Sequence, residues 1–189
     1  MVFPQPITEI EVEHVLRSVP TRWHKQISAD LISEMEAFVG KVDTLPEMRA
    51  ALAIAGFQAL HDRIKKSISG KSGIEALRAM SYAMRSFALG SPGLAAASLR
   101  HPDLESAEWK AAGAPLLQTI LGVFAEVDLN GQQAIEATRI LRSLVRGFVL
   151  TEMSSPNAHP IEFQKSYVLA VEQFIYGLPV LRDVAVEKD

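Results

Sequence analysis

The chain has 189 residues, of which 48% are hydrophobic and 22% charged, and its formal net charge at pH 7 is −3. This composition is ordinary for a globular protein of one or two domains, and it excludes disorder or a collagen-like state as the main structure. The absence of cysteine excludes disulfides, thiol catalysis and cysteine-ligated zinc. The slightly acidic balance provides no overall attraction for nucleic acid.

Residues 1–43 differ from the rest of the chain in charge. They hold four basic and seven acidic residues, a net −3, so the remainder is neutral. Residues 7–14 alternate between apolar and acidic, which is typical of a strand, but a helix fits equally well. Farther along, apolar residues at helical spacing predict one helix, or two short helices broken near Ser33: Ile27, Leu31, Met35, Phe38 and Val42.

The next region predicts two helices that begin at capping boxes. Thr44–Glu47 is such a box with a proline just inside it, and apolar spacing extends the first helix to about Ile68. Ser72–Glu75 is a second box, and it opens a helix that Gly90 ends.

Four further helices follow, separated by turn residues. A short helix is predicted over 91–99 and a long one over about 106–127, which Pro115 should kink or split. The last two helices are predicted over about 132–153 and 160–176. No stretch resembles a membrane span, since the longest uncharged run has 15 residues against the roughly 20 required. The N-terminus also lacks signal-peptide features, so we expect a soluble, cytoplasmic protein.

The last two helices are apolar on more than one side, although one core needs only a single stripe. This surplus indicates a helical homodimer interface, and the alternative is that both helices are central core helices. The predicted interface residues are Leu141, Leu144, Val145, Phe148, Tyr167, Val171, Phe174 and Ile175.

Sequence motifs for catalysis or metal binding are not found. Gly70-Lys71-Ser72 lacks the earlier glycine of a phosphate-binding loop, because position 65 is lysine. The five histidines show no i, i+4 pair, and no nucleophile, base and acid can be assigned together. We therefore expect no enzyme activity, no metal site and no cofactor.

Three stretches of the chain resemble the TetR family of bacterial transcriptional regulators, in particular the subgroup with a WHG element. They are residues 42–49, residues 85–109 with the run RSFALGSPGL, and residues 139–149. In the third stretch Gly147 matches the element, whereas Arg142 and Arg146 stand at its Trp and His positions. The resemblance covers about residues 42–178.

The resemblance implies an all-α, TetR-like protein with a small three-helix N-terminal head and a larger helical ligand-binding and dimerisation domain. We assign a degenerate helix-turn-helix-like domain to residues 1–43, the larger domain to 44–182, and a tail to 183–189. In such a protein a small apolar effector enters the larger domain and lowers the affinity of the dimer for operator DNA. We therefore expect a ligand-responsive transcriptional repressor.

The resemblance also implies site residues. The large apolar side chains and one histidine on the pocket-forming helices are Phe57, His61, Met80, Met84, Phe87, Trp109, Leu117, Phe124 and Phe148. Several of them are expected to be plain core residues, His61 can equally be a partly exposed helix residue, and Trp109 can equally lie on the surface.

In the head, the basic residues available to contact DNA phosphates are Arg22, Lys25 and Lys41. The head departs from the family at Leu31–Ser33, where a small residue and then glycine are usual, and at Phe38–Val42, where an aromatic-rich stretch is usual. The alternative function is therefore a TetR-like dimer that has lost DNA binding and acts as a ligand-binding or protein-interaction module.

Overall fold

The computed structural model describes residues 45–99, 107–154 and 160–183, and every regular element within these ranges is an α-helix. The predicted all-α class is confirmed. The seven helices are α1 (Leu45–Ile68), α2 (Gly73–Gly90), α3 (Pro92–Leu99), α4 (Ala107–Ala125), α5 (Gly131–Ser154), α6 (Pro160–Tyr176) and α7 (Leu178–Asp183).

Helix α2 is the centre of the bundle. It packs against α1, α3 and α4 on one side and against α5 and α6 on the other. It can do so because its buried residues are not confined to one stripe, unlike those of a surface helix: Ala76, Leu77, Met80, Ser81, Ala83, Met84, Arg85, Phe87 and Ala88. A shift of α2 would therefore change its contacts with both groups of helices.

Helices α1 and α3 cross at very short range at Gly56. A Cβ atom placed on Gly56 would lie 2.6 Å from the carbonyl oxygen of Leu94 and 3.1 Å from the Cβ of Ser98. No real Cβ approaches a carbonyl so closely, so the crossing depends on the missing side chain.

Helix α4 continues through Pro115, which was predicted to kink or split it. Proline removes the hydrogen bond to the carbonyl four residues earlier, that of Ala111. Both residues lie on the exposed side of α4, where water can hydrate that carbonyl. The prediction of a split is therefore wrong, because the missing bond falls on the solvent side.

A short helix, α7, follows α6, although the sequence predicts the last helix over about 160–176. The N–H of Gly177 bonds to the carbonyl oxygens of Gln173 and Phe174, which closes α6. Pro179 then lies in the first turn of α7. Backbone N–H groups in the first turn have no acceptor within the helix, so the N–H that proline lacks costs little stability there. The buried Leu178 anchors α7 to the core.

The capping box predicted at Ser72 is not formed. Ser72 occupies the N-cap of α2, but its side chain makes no capping hydrogen bond. Gly73 instead adopts a φ of 52°, and its N–H donates to Oε2 of Glu126, just beyond α4, at 2.7 Å. The cap is therefore supplied from 53 residues away rather than from within the local sequence. The other predicted box begins at Thr44, outside the described residues.

We expect Glu126→Ala to lower the free energy of unfolding by about 1 kcal/mol, since it leaves the first N–H of α2 without its carboxylate. Ser72→Ala is the matched control, and it should change the free energy of unfolding by only a few tenths of the effect of Glu126→Ala. Urea unfolding followed by circular dichroism measures both. A larger loss for Ser72→Ala than for Glu126→Ala would contradict this assignment of the cap.

Candidate functional site

An aromatic seam lies between α1 and α4. The ring of Phe57 meets the ring of Trp109 edge-on, with 5.5 Å between centroids. A Cβ on Gly113 would lie 3.4 Å from the Phe57 ring, so glycine lets α4 pass close to this aromatic pair. Two of the predicted pocket residues are thus brought together here.

His61 continues this seam one turn farther along α1. It is half-buried, and its Nε2 lies 3.0 Å from the hydroxyl oxygen Oγ1 of Thr119 on α4. Which of the two atoms donates depends on the histidine tautomer. The seam therefore combines two aromatic rings with one polar pair, which are the kinds of side chain that contact small organic ligands in proteins.

The other predicted pocket residues lie elsewhere. Leu117 is 46% exposed, so it faces solvent on the outer side of α4 and is not brought together with the rest. Phe148 packs its ring against Tyr167 of α6, with 5.3 Å between centroids. The remaining four belong to the hydrophobic core: Met80, Met84, Phe87 and Phe124.

A buried polar network links α2 to α5 and α6. The guanidinium of Arg85 donates from Nη2 to Oε2 of Glu152 at 2.7 Å and from Nη1 to Oε1 of Gln164. It also lies over the ring of Tyr167, 5.0 Å from the centroid. A buried guanidinium needs partners of this kind, because its desolvation is otherwise uncompensated.

Tyr167 completes this network from α6. Its side chain is fully buried, and its hydroxyl donates to the backbone carbonyl of Ser81 on α2 at 2.7 Å. Burial raises the pKa of Tyr167 well above its usual range, and the positive charge of Arg85 opposes this only in part. The phenol is therefore held neutral, which suits its role as a hydrogen-bond donor inside the core.

A second ion pair joins the same helices at the surface. Arg78 lies two turns before Arg85 on α2, and its guanidinium donates to both carboxylate oxygens of Glu172 on α6, at 2.5 and 2.8 Å. The hydrogen bond from Arg78 lowers the pKa of the Glu172 carboxyl. Neither pair is predicted from the sequence. The available signal is Arg85 itself, a cation among the apolar residues of a central helix.

The predicted interface residues are largely covered within the subunit. Leu144 and Phe148 are half-buried against the core. The other six are buried: Leu141, Val145, Tyr167, Val171, Phe174 and Ile175. Other apolar side chains on the same part of the fold point into solvent, among them Leu169, which is 65% exposed, and Tyr176, which is 86% exposed.

These exposed side chains lie on the last two helices, α6 and α7. Leu169 and Tyr176 are seven residues apart, which is two helical turns, and the exposed Val180 follows on α7. Ile140 adds an exposed apolar side chain on α5. We call Ile140, Leu169, Tyr176 and Val180 the outer apolar face. Large apolar groups grouped in this way mark a contact surface more often than chance exposure.

The predicted DNA contacts Arg22, Lys25 and Lys41 lie outside the described residues, as do the rest of the head and most of the tail. Within the described ranges, no three His, Asp or Glu side chains are grouped closely enough to hold a metal ion. In those same parts of the chain, no helix combines the length and the apolarity that crossing a membrane requires.

Comparison with known proteins agrees with this architecture. The family model described as "Tetracyclin repressor-like, C-terminal domain" matches residues 77–174, from the second turn of α2 to the last turn of α6. The chain is similar to YobS of Bacillus subtilis, an uncharacterized HTH-type transcriptional regulator, with 27% identity over 72% of this chain and 71% of that protein.

The chain is also similar to Rv0681 of Mycobacterium tuberculosis, another uncharacterized HTH-type transcriptional regulator. The identity is 30% over 60% of this chain, and the match spans about half of that relative's length, 52%. The match to the family model covers more than half of the 189 residues. The chain therefore belongs to the TetR family of transcriptional regulators and carries the tetracycline repressor-like C-terminal domain.

Proposed function

We propose that the chain is a ligand-responsive, homodimeric transcriptional regulator that represses its target by binding operator DNA. Residues 1–43 would form the DNA-binding head, residues 44–182 the ligand-binding and dimerisation domain, and residues 183–189 a tail. The observation that carries the proposal is the outer apolar face on the last helices of a TetR-type domain. A monomer would leave these large apolar side chains in water.

The proposed dimer contact uses the same helices as the sequence prediction but different side chains. Six of the eight predicted residues already cover the subunit's own core, so they support the contact from beneath. The outer apolar face, with Leu144 and Phe148 at its edge, is available to a second copy. Two such faces related by a two-fold axis would bring α5 and α6 of each subunit into a four-helix arrangement.

We expect the double variant Leu169→Glu/Tyr176→Glu to weaken dimerisation at least about tenfold, because it places four carboxylates in the symmetric contact. Sedimentation velocity over a range of protein concentrations measures the effect. Leu117→Glu is the matched control, since it charges an exposed leucine on α4 outside the outer apolar face. A wild-type protein that stays monomeric, or a double variant as dimeric as the wild type, would contradict the proposed contact.

The proposed effector is small and largely apolar, and we place it at the seam of Phe57, Trp109 and His61. The rings supply apolar contact area, and the His61–Thr119 pair supplies one polar anchor. A ligand inserted there would separate α1 from α4, and both of these helices pack on α2. The ion pairs of Arg78 and Arg85 would pass a shift of α2 on to α5 and α6. Such a coupling would link effector binding to the geometry of the dimer.

A second candidate function follows from the charge of the head. With four basic and seven acidic residues in 1–43, DNA binding requires Arg22, Lys25 and Lys41 to face the duplex while the acids face away. If they do not, the chain would be a dimeric ligand-binding or protein-interaction module without DNA binding. Direct measurement of DNA binding separates the two.

A further inference from the structure

The solvent side of α5 carries a cleft lined with arginine. Its lining side chains are Arg139, Arg142, Ser143 and Arg146, and its volume is about 180 Å³. These positions are three or four residues apart, so they share one face of the helix. Nothing in the proposed repressor mechanism uses this face.

The cleft is positively charged. Arg139 is paired with Glu136 one turn earlier, at 2.5 Å. In the part of the chain that the structure describes, no carboxylate forms an ion pair with Arg142 or Arg146. Although Arg142 reaches the surface, the atoms around it desolvate its guanidinium and lower its pKa, and the charge of Arg146 lowers it further. An anion between the two guanidinium groups would relieve their repulsion.

The cleft is separate from the outer apolar face. Phe148 marks the side of α5 that faces α6, because its ring packs on Tyr167. At 3.6 residues per turn, Arg142 and Arg146 lie roughly 120° to 160° around the helix from Phe148. Ile140 is the residue of the outer apolar face on α5, and the same two arginines lie roughly 120° to 160° around the helix from it as well. A second copy docked on the outer apolar face therefore leaves Arg142 and Arg146 open to small molecules.

The arrangement of donors indicates what kind of anion fits. A guanidinium presents a planar fork of N–H donors that matches two oxygens of one phosphate, and Ser143 adds a neutral hydroxyl donor. Seven residues separate Arg139 from Arg146, a rise of about 10 Å along the helix. This length exceeds one phosphate and suits two adjacent ones.

We propose that the arginine cleft on α5 binds the diphosphate group of a phosphorylated small molecule, such as a nucleoside diphosphate. The half-buried Leu150 and the exposed Ile135 flank the arginines on the same side of α5 and offer apolar contact to an organic group attached to the phosphates. The site is distinct from the aromatic seam, so it does not depend on the proposed apolar effector.

The test is isothermal titration calorimetry of the full chain with pyrophosphate and, separately, with ADP. We expect saturable binding of both, and a loss of at least about tenfold in affinity for Arg142→Gln/Arg146→Gln. Arg63→Gln is the matched control, because it removes an exposed arginine of α1 that donates to Ser86 far from the cleft. It should leave both affinities unchanged.

The two probes distinguish the source of the anion. Equal affinity for pyrophosphate and ADP would assign recognition to the diphosphate alone, whereas tighter binding of ADP would add a contact with its organic part. Absence of saturable binding by both probes would overturn the proposal. An equal loss of affinity in Arg63→Gln would also overturn the proposal, because binding would then result from general charge attraction and not from the cleft. A double variant that changes the oligomeric state but not the pyrophosphate affinity would assign the arginines to a subunit contact instead.

Discussion

Glu152→Ala is expected to lower the free energy of unfolding by about 3 to 5 kcal/mol, because it leaves the guanidinium of Arg85 buried without its carboxylate. Both side chains of this pair are largely enclosed, with 10% of Arg85 and 18% of Glu152 exposed. Water therefore has little access to replace the lost partner, and Gln164 alone does not neutralise the charge. The α5 and α6 side of the bundle should loosen from α2 as a consequence.

The chain provides a matched control in Glu172→Ala. The Arg78–Glu172 pair joins the same central helix to α6 with similar geometry, but its side chains are 36% and 38% exposed. Solvent screens such a pair, so its loss should cost less than about 1 kcal/mol. The difference between the two variants isolates burial as the cause.

Chemical denaturation with circular dichroism measures both variants, and the double variant Arg85→Met/Glu152→Met tests the mechanism. Replacing both charges with apolar side chains of similar size should recover much of the loss, because no unpaired charge is left. Equal effects of Glu152→Ala and Glu172→Ala would contradict a buried network at Arg85. A double variant less stable than Glu152→Ala would contradict it as well.

Gly56→Ala is expected to destabilise the protein by about 2 kcal/mol, although alanine is the better helix former. The new methyl group would lie 2.6 Å from the backbone oxygen of Leu94. A backbone carbonyl cannot rotate away as the end of a flexible side chain can, so α1 and α3 must move apart. Their separation would also loosen contacts around the aromatic seam on α1.

Gly122→Ala, on α4, is the control for Gly56→Ala. A Cβ at Gly122 would meet nothing within 4 Å, so only the helix propensity changes. This variant should therefore gain about 0.5 to 1 kcal/mol, a change of the opposite sign. Thermal unfolding of the two variants beside the wild type measures the pair. A stabilising Gly56→Ala would show that the helices do not cross as closely as the structure has them.

The helices were predictable from the sequence because their signals are local. Apolar spacing and turn residues placed α1, α2, α3, α5 and α6 within a few residues of their observed ends. The failures involve distant partners. The sequence near Ser72 cannot reveal that Glu126 caps α2, and a proline rule cannot reveal that Pro115 faces water. Both depend on how α4 lies in the fold.

The candidate site was less predictable for the same reason. Periodicity indicated that α5 and α6 have more apolar surface than one core needs, but it could not say which side the subunit covers. Tyr167 is directed inward to Ser81, whereas Leu169, only two residues later, is directed into solvent. Likewise, Met80 and Phe57 both belong to the hydrophobic core, and periodicity could not show that the Phe57 ring also meets Trp109 of α4. Arg85 was overlooked because its partners are 67 and 79 residues away.

The most direct test of the proposed function is DNA binding by the full chain. A labelled duplex from the region upstream of its own gene should bind in the nanomolar range at about 50 mM salt, two chains per duplex, with an affinity that falls steeply as salt rises. Arg22→Gln/Lys25→Gln/Lys41→Gln should weaken binding strongly and flatten the salt dependence. Absence of binding at about 50 mM salt by protein refolded free of any bound ligand would contradict the regulator function and favour a dimer without DNA binding.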